Sequence, residues 1–433
     1  MQRVPTHQTK KRTGKTRTAA VGLLSVAACW SASLPALADK TSVGDDLIVE
    51  TIASGAAPED EPRGIRAGNF FISPRAAAFT TFDDNIFATP TNRKSDYRFE
   101  LRPGVDVRSN LPRHRLDFSL DGRIVDYAEH DAQSYEDYQA RLRSALHFDH
   151  AHTISFSALS ALEHAEIGEI GEIPSPNAAA EPIPIFHNRA ATGITRDAGR
   201  LFGTLSAAYE SWNYSDVKAV DGSSIDQDSR DLSQYGVQLR AGYRFSPGYE
   251  LVGKARTFRQ TGLSNENLDA TGYEALGGLA FEVSPVFTWH LLAGYGFRDY
   301  DSDLRGDTPS SLLEAEFLWQ PTQRMTVLGR ATRGIIDTLD ESGEARIDSS
   351  IRGRVTYEIW HNLQGYFEAA YTDADYLNTD RNDQIWDANV GLTYALTKDA
   401  ALTLNYEFET RASTDDEFDM DRNRITVGGM IRF

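Results

Sequence analysis

The chain has 433 residues, about 40% of them hydrophobic, and a formal net charge of −19. That length accommodates two or three ordinary domains or one very large sheet, and the acidic balance argues against a nucleic-acid partner, which would show a basic patch or a high pI. Glycine (33), tyrosine (18) and phenylalanine (21) are plentiful, the types that suit strands with tight bends and aromatic belts.

The N-terminus reads as a secretory signal over residues 1–38. Lys10, Lys11, Arg12, Lys15 and Arg17 form a basic region, Ala19–Trp30 an apolar one, and Ala36–Ala38 a small-residue cleavage site. Cleavage there removes six basic residues and leaves a mature charge of −25. The stretch "VAAC" competes as a lipobox that would lipidate Cys29, the only cysteine, but Ala36–Ala38 is the cleaner site. Cleavage after Ala38 leaves no thiol for a disulfide or a thiolate metal site. Residues 39–69 are small, acidic and weakly patterned, a flexible periplasmic lead-in or, alternatively, a segment that folds back into a pore. No apolar run near ~20 residues follows, so no spanning helix is expected.

From Asn69 onward a period of two takes over. In "HRLDFSLDG", Leu116, Phe118 and Leu120 oppose Arg115, Asp117, Ser119 and Asp121. "QYGVQLRAGYRF", "IRGRVTYEI" and "LTLNYEFE" alternate in the same way. Short turns such as "SNLPRH" (109–114), "SPG" (246–248), "QPTQ" (320–323) and "WHN" (360–362) alternate with longer polar stretches such as 216–231, 299–307, 372–383 and 413–421. That rhythm predicts an all-β, closed, antiparallel, up-and-down transmembrane barrel over 70–433, with short periplasmic turns and longer outer loops. About 18 strands are expected, starting near residues 70, 95, 114, 134, 152, 183, 200, 231, 249, 269, 287, 310, 324, 344, 361, 383, 399 and 419. An even count puts both termini in the periplasm. Barrels of about 16–18 strands are wide enough for an aqueous channel.

The final stretch, "RITVGGMIRF", alternates from Arg424 to Phe433. An open sheet edge in lipid leaves backbone groups unpaired at several kcal/mol each, so this strand is expected to close the barrel against the strand near residue 70. Phe433, Tyr249 and Phe287 fall at strand ends, where an aromatic girdle belongs. Thr426, Gly428, Ile431 and Phe433 also resemble the C-terminal signal that the barrel-assembly machinery recognises in outer-membrane barrels. "PRAAAFTTFDDNIFAT" (74–89), with Phe82 followed by Asp83, Asp84 and Asn85, resembles the opening strand of the outer-membrane β-barrel porin type 2 family of proteobacteria. The resemblance continues through the Pro–Gly and the Arg–His turn of 100–127 and through 134–142. It implies an integral outer-membrane location amid lipid and lipopolysaccharide, a porin-like conduit, and a link to surface or exopolysaccharide secretion with polysaccharide export proteins as partners. A non-conducting scaffold or receptor barrel is the alternative.

Alternation places Arg98, Arg102, Arg141, Arg143, Arg240, Arg244, Lys254, Arg256, Arg330, Arg352 and Arg354 on the lumen side, with acids including Glu100, Asp117, Asp121, Glu358, Glu407 and Glu409. They lend themselves either to an anionic solute's path or to a ladder of ion pairs that stiffens the wall. Asp83, Asp84 and Asn85 offer hard oxygen ligands, but their spacing fits no EF-hand loop, and a hydrogen-bonded turn at a strand end is the expectation. His147, His150 and His152 cluster at a predicted short turn, where interfacial polar filling is the expectation and a metal site the alternative. No nucleophile elbow, HExxH motif or cofactor motif is present; dispersed catalytic residues leave no such trace, and an enzyme is the remote alternative.

Overall fold

Residues with a polar–apolar period of two form one continuous β-meander. The computed structural model describes residues 64–166, 179–219, 221–284, 286–303, 305–337, 345–377 and 379–433. The signal predicted at 1–38, Cys29 and most of the 39–69 lead-in lie outside them.

Eighteen long strands build the wall: β1 (Phe70–Asp83), β2 (Asp96–Ser109), β3 (His114–Tyr127), β4 (Tyr135–His147), β5 (His152–Ala165), β6 (Ile183–Ala198), β7 (Leu201–Tyr214), β8 (Leu232–Ser246), β9 (Tyr249–Gly262), β10 (Ala270–Ser284), β11 (Phe287–Tyr300), β12 (Thr308–Thr322), β13 (Met325–Asp337), β14 (Ala345–Trp360), β15 (Leu363–Tyr376), β16 (Asn382–Ala395), β17 (Ala400–Ser413) and β18 (Met420–Arg432). Every predicted start falls within two residues of the observed one. Each strand pairs antiparallel with the next, and β18 pairs with β1 from Arg75↔Arg432 to Asp83↔Arg424, so the sheet closes. Closure leaves no unpaired edge, which is what makes a spanning sheet tolerable in lipid.

Connections at one end are short, for example 110–113, 199–200 and 361–362, while those at the other range from 377–381 up to 215–231. Several boundaries differ from expectation, three of them with a visible cause. The turn expected at 320–323 lies at 323–324, because β12 runs on through a register shift after Trp319. The loop expected over 372–383 shrinks to 377–381, because Thr372–Asp375 stay in the ladder with Asn382–Ile385. Polar residues at that rim belong to the wall. The lead-in also ends early: Ile65–Ala67 folds back antiparallel on Phe70–Ile72 through a turn in which Gly68 takes φ +62°, a left-handed conformation that glycine adopts without strain.

The two faces of the sheet are chemically distinct. Leu101 is 45% exposed, whereas its neighbour Glu100 is 5% exposed. The exposed face carries Tyr97 and Phe99 on β2, Tyr235, Val237 and Leu239 on β8, and Leu402, Leu404 and Tyr406 on β17. This is the outer, lipid-facing surface. At the short-turn end Phe245, Tyr249, Phe281 and Trp289 form a chain of ring contacts with centroids 5.9, 5.1 and 4.2 Å apart. Phe287 and Phe433 are also exposed at that end, 38% and 60%. The positions match an interfacial aromatic belt.

Pro103 and Gly104 in β2 have a local role. The β2–β3 ladder has no pair at Arg102 or Pro103, as expected where proline supplies no N–H. A side chain at Gly104 would crowd Arg75 and Asp121. The space admits the Arg75 guanidinium, which bridges Asp106 on β2 and Asp121 on β3.

Candidate functional site: the charged inner wall

All the basic positions predicted to line the lumen fall on the face opposite the exposed apolar one. Arg98 and Arg102 alternate with Leu101, Arg240 and Arg244 with Leu239 and Tyr243, and Arg352 and Arg354 with Ile351. Arg141 and Arg143 share the inward face of β4, and Lys254 and Arg256 that of β9. Arg330 lies opposite Arg352, and Glu358 and Glu407 occupy inward positions on β14 and β17.

Many of these side chains are held in place. Among the described residues, an inward aromatic four times lies directly opposite a glycine on the neighbouring strand with an arginine resting on its ring. Phe79 opposes Gly428 under Arg102, whose guanidinium carbon is 5.0 Å from the ring centre. Phe202 opposes Gly242 under Arg244 at 4.7 Å and Arg240 at 5.4 Å. Phe258 opposes Gly272 between Arg256 at 4.3 Å and Arg298 at 4.5 Å. Tyr366 opposes Gly391 under Arg354 at 4.0 Å. At each of these glycines a Cβ would overlap the opposing ring. The glycine therefore lets the ring lie against the wall, and the ring's negative face positions the guanidinium, a contact worth about 0.5–2 kcal/mol depending on desolvation.

Ion pairs fix others. Lys254 pairs with Glu314, and Arg352 with Glu368 at 2.7 Å. Arg244 reaches Asp197 at 2.7 Å and Glu250 at 2.9 Å. Arg424 bridges Glu407 and Glu409. The densest network lies at the long-loop end, on the sector formed by β18 and β1 to β4. Glu100 there contacts Arg98, Arg102 and Arg123.

Glu166 completes that network and carried no sequence signal. It follows the last residue of β5, outside any alternating run. Its carboxylate accepts from Arg98 at 2.8 Å, Arg123 at 3.3 Å and the Tyr135 hydroxyl at 2.7 Å, and lies 3.8 Å from Arg422 on β18. β5 and β18 are five strand spacings apart along the wall, about 24 Å. One side chain can touch β2, β3, β4 and β18 only if the backbone has left the wall, so Glu166 stands within the lumen. Burial alone would raise its pKa, but Arg98, Arg123 and Arg422 hold it well below the ordinary carboxylate range.

The neighbouring sector of the same end is apolar. Ala165, Ile183, Ile185, Trp212, Tyr214 and Leu232 pack with the loop residues Ala179, Val217 and Leu268. A second inward apolar patch, Val252, Leu276, Leu292 and Leu312, lies on β9–β12. The inner wall is thus not uniformly polar, contrary to the expectation from alternation.

The Asp83–Asp84–Asn85 tripeptide is a clasp across the closure. Arg422 donates Nε to Asp83 Oδ2 at 2.8 Å. Asn423 donates its backbone N–H and its Nδ2 to the Asp84 carboxylate, both at 2.7 Å. Asn85, fully buried, donates its backbone N–H to Asp83 and its Nδ2 to the carbonyls of Thr89 and Asp421. The histidines at the short turn are likewise engaged locally: His152 binds Asp149 at 2.9 Å and His147 binds Thr153 at 2.9 Å. Among the described residues the acid groups close enough to share an ion are instead Asp216–Asp226–Asp228 and Asp387–Glu407–Glu409, and in the second Arg424 already spans Glu407 and Glu409.

A closed eighteen-strand wall with an apolar outer face and a charged inner one is the architecture of an outer-membrane porin. The family model described as "Putative beta-barrel porin 2" matches residues 57–433. The chain belongs to that family. It is an integral outer-membrane β-barrel of porin type. No curated protein matches the chain. Among solved structures it is similar to the outer-membrane protein OpdK of Pseudomonas aeruginosa (13% identity, 84% of this chain and 99% of that chain, TM-score 0.44). OccAB4 of Acinetobacter baumannii is also similar (11% identity, 87% and 100% covered, TM-score 0.45), as is OmpT of Vibrio cholerae (11% identity, 86% and 100% covered, TM-score 0.40).

Proposed function

We propose that this porin-family barrel is a non-enzymatic conduit with both termini in the periplasm, and that it forms the outer-membrane exit of a surface-polysaccharide secretion system. The observation that carries the conduit is the lining itself. Arginines are laid flat on aromatic rings along the inner face, with carboxylates beside Arg102, Arg244, Arg256 and Arg354, which fixes an array of charges along the wall. An acidic glycan, long, hydrated and negatively charged, suits such a wall. In this reading polysaccharide export proteins deliver the chain from the periplasm, while lipopolysaccharide surrounds the acidic outer loops. Phe433 with Thr426, Gly428 and Ile431 serves as the label read by the barrel-assembly machinery.

Reconstitution of the purified full-length barrel in a planar bilayer tests the conduit. Stable conductance steps are expected. Silence, both before and after deletion of residues 39–68, would sink the open-pore reading in favour of a plugged scaffold. The secretion role is tested separately: deleting the gene should abolish an acidic surface polysaccharide without lowering its cytoplasmic synthesis, and unchanged surface polysaccharide would refute that role.

A further inference from the structure

Glu166 is held as a ligand is held. Three guanidiniums from three strands and one phenol converge on its carboxylate, and its side chain is 12% exposed. Arg98 keeps its Nε buried with no hydrogen-bond partner among the described residues. The guanidiniums that reach Glu166 also hold other acids: Arg98 and Arg123 share Glu100, Arg123 faces Asp137, which is itself 2.8 Å from His164, and Arg422 holds Asp83. Forked guanidiniums with a neutral hydroxyl donor suit a planar carboxylate.

We propose that Arg98, Arg123, Arg422 and Tyr135 form a carboxylate-binding station inside the lumen, filled at rest by Glu166, and that uronic-acid units of an acidic glycan occupy it by displacing Glu166. This rests on the conduit reading and gives it a substrate class. Exchange of one carboxylate for another leaves the arginines neutralised throughout, so passage never exposes an unpaired cluster of buried cations. The mouth between β5 and β9 is packed with apolar side chains, and Ile86, Val125 and Tyr127 pack beside Tyr135 in the charged sector.

The test compares wild-type barrel with Glu166→Gln in planar bilayers under a potassium chloride gradient. Assembly of each is checked by heat-modifiable gel mobility. The variant should shift its reversal potential toward anions. Trigalacturonate should block it at about tenfold lower concentration than wild type, equivalent to ~1.4 kcal/mol, while maltotriose acts equally on both. A conducting Glu166→Gln barrel with unchanged reversal potential and unchanged trigalacturonate block overturns the station and leaves the conduit standing. If neither barrel conducts, the conduit fails, and calorimetric binding of trigalacturonate to the two solubilised proteins decides the station: tighter binding by the variant supports it, equal binding overturns it. If Glu166→Gln fails to assemble, Arg98→Gln takes its place. Weaker trigalacturonate block or binding than wild type supports the station, and no change overturns it.

Discussion

Asp84 at the end of the first strand accepts both the backbone N–H and the side-chain amide of Asn423, near the start of the last strand, at 2.7 Å each. A carboxylate thus takes the place of a further rung in the ladder and ties the two ends of the sheet together. Its replacement by alanine removes two charge-assisted hydrogen bonds and should cost about 2–4 kcal/mol. Asp84→Asn, which keeps one acceptor oxygen, should cost less. The temperature at which the folded band converts to the unfolded band on a gel is the readout. It should fall in the order wild type, Asp84→Asn, Asp84→Ala.

Gly428 tests the ring-over-glycine arrangement at the same seam. A valine there would collide with Phe79, and overpacking of this kind costs about 1–3 kcal/mol. Combining Gly428→Val with Phe79→Ala should recover part of the lost stability, a coupling that a double-mutant cycle measures directly. Strict additivity of the two substitutions would show that the ring does not lie over the glycine.

Phe433 contributes little to the finished wall. Its backbone N–H donates to the Pro74 carbonyl at 3.0 Å and its ring is 60% exposed. Deleting it should lower stability by only about 1 kcal/mol, while lowering outer-membrane yield severalfold if the assembly machinery reads that ring. Unchanged surface yield, measured beside unchanged heat-modifiable mobility, would count against the assembly role.

The pH response of the lumen follows from Glu166. Its burial raises and its three arginines lower its pKa, and the net direction is well below the ordinary 4.5. A carboxylate with a depressed folded pKa contributes stability that is present above its unfolded value and lost as pH falls through the folded one. The surrounding Arg98, Arg123 and Arg422 stay charged throughout, and Glu100, Asp137 and Asp83 are paired with the same cations. The part of the ion selectivity that Glu166 carries, read as the difference between wild type and Glu166→Gln, should therefore be flat from neutral pH down to about 4.5 and fade only in stronger acid. A midpoint between about pH 5 and 7 in that difference would contradict the pairing.

Strand placement was legible because side-chain direction in a barrel wall is set by parity alone. A strand such as β8, with Tyr235, Val237 and Leu239 against Gln234, Gln238 and Arg240, announces both its existence and its faces. Parity also identified Arg98, Arg102 and Arg354 as inward. It could not show what they rest on, because the partner of Arg354, Tyr366, lies on the next strand and its opposing Gly391 on the one after. Glu166 was invisible for a different reason: beyond a strand end there is no period to read, and its role comes from a backbone departure that no local residue pattern encodes. The inward patch of Val252, Leu276, Leu292 and Leu312 defeats a simple polar-inside rule, because these residues pack against one another across adjacent strands and need no lipid to bury them.

Arginine normally enters a binding event carrying about 2 kcal/mol of rotamer freedom, much of it forfeited when an anion arrives. Where Phe79, Phe202, Phe258 and Tyr366 serve as platforms, that disorder was given up when the barrel folded. Arg102, Arg256 and Arg354 are thus held in one place beside Glu100, Glu274 and Glu368, charges that do not have to be organised anew. If the barrel conducts as proposed, such a wall would work like the packing of an ion-exchange column, retarding and sorting by charge rather than trapping.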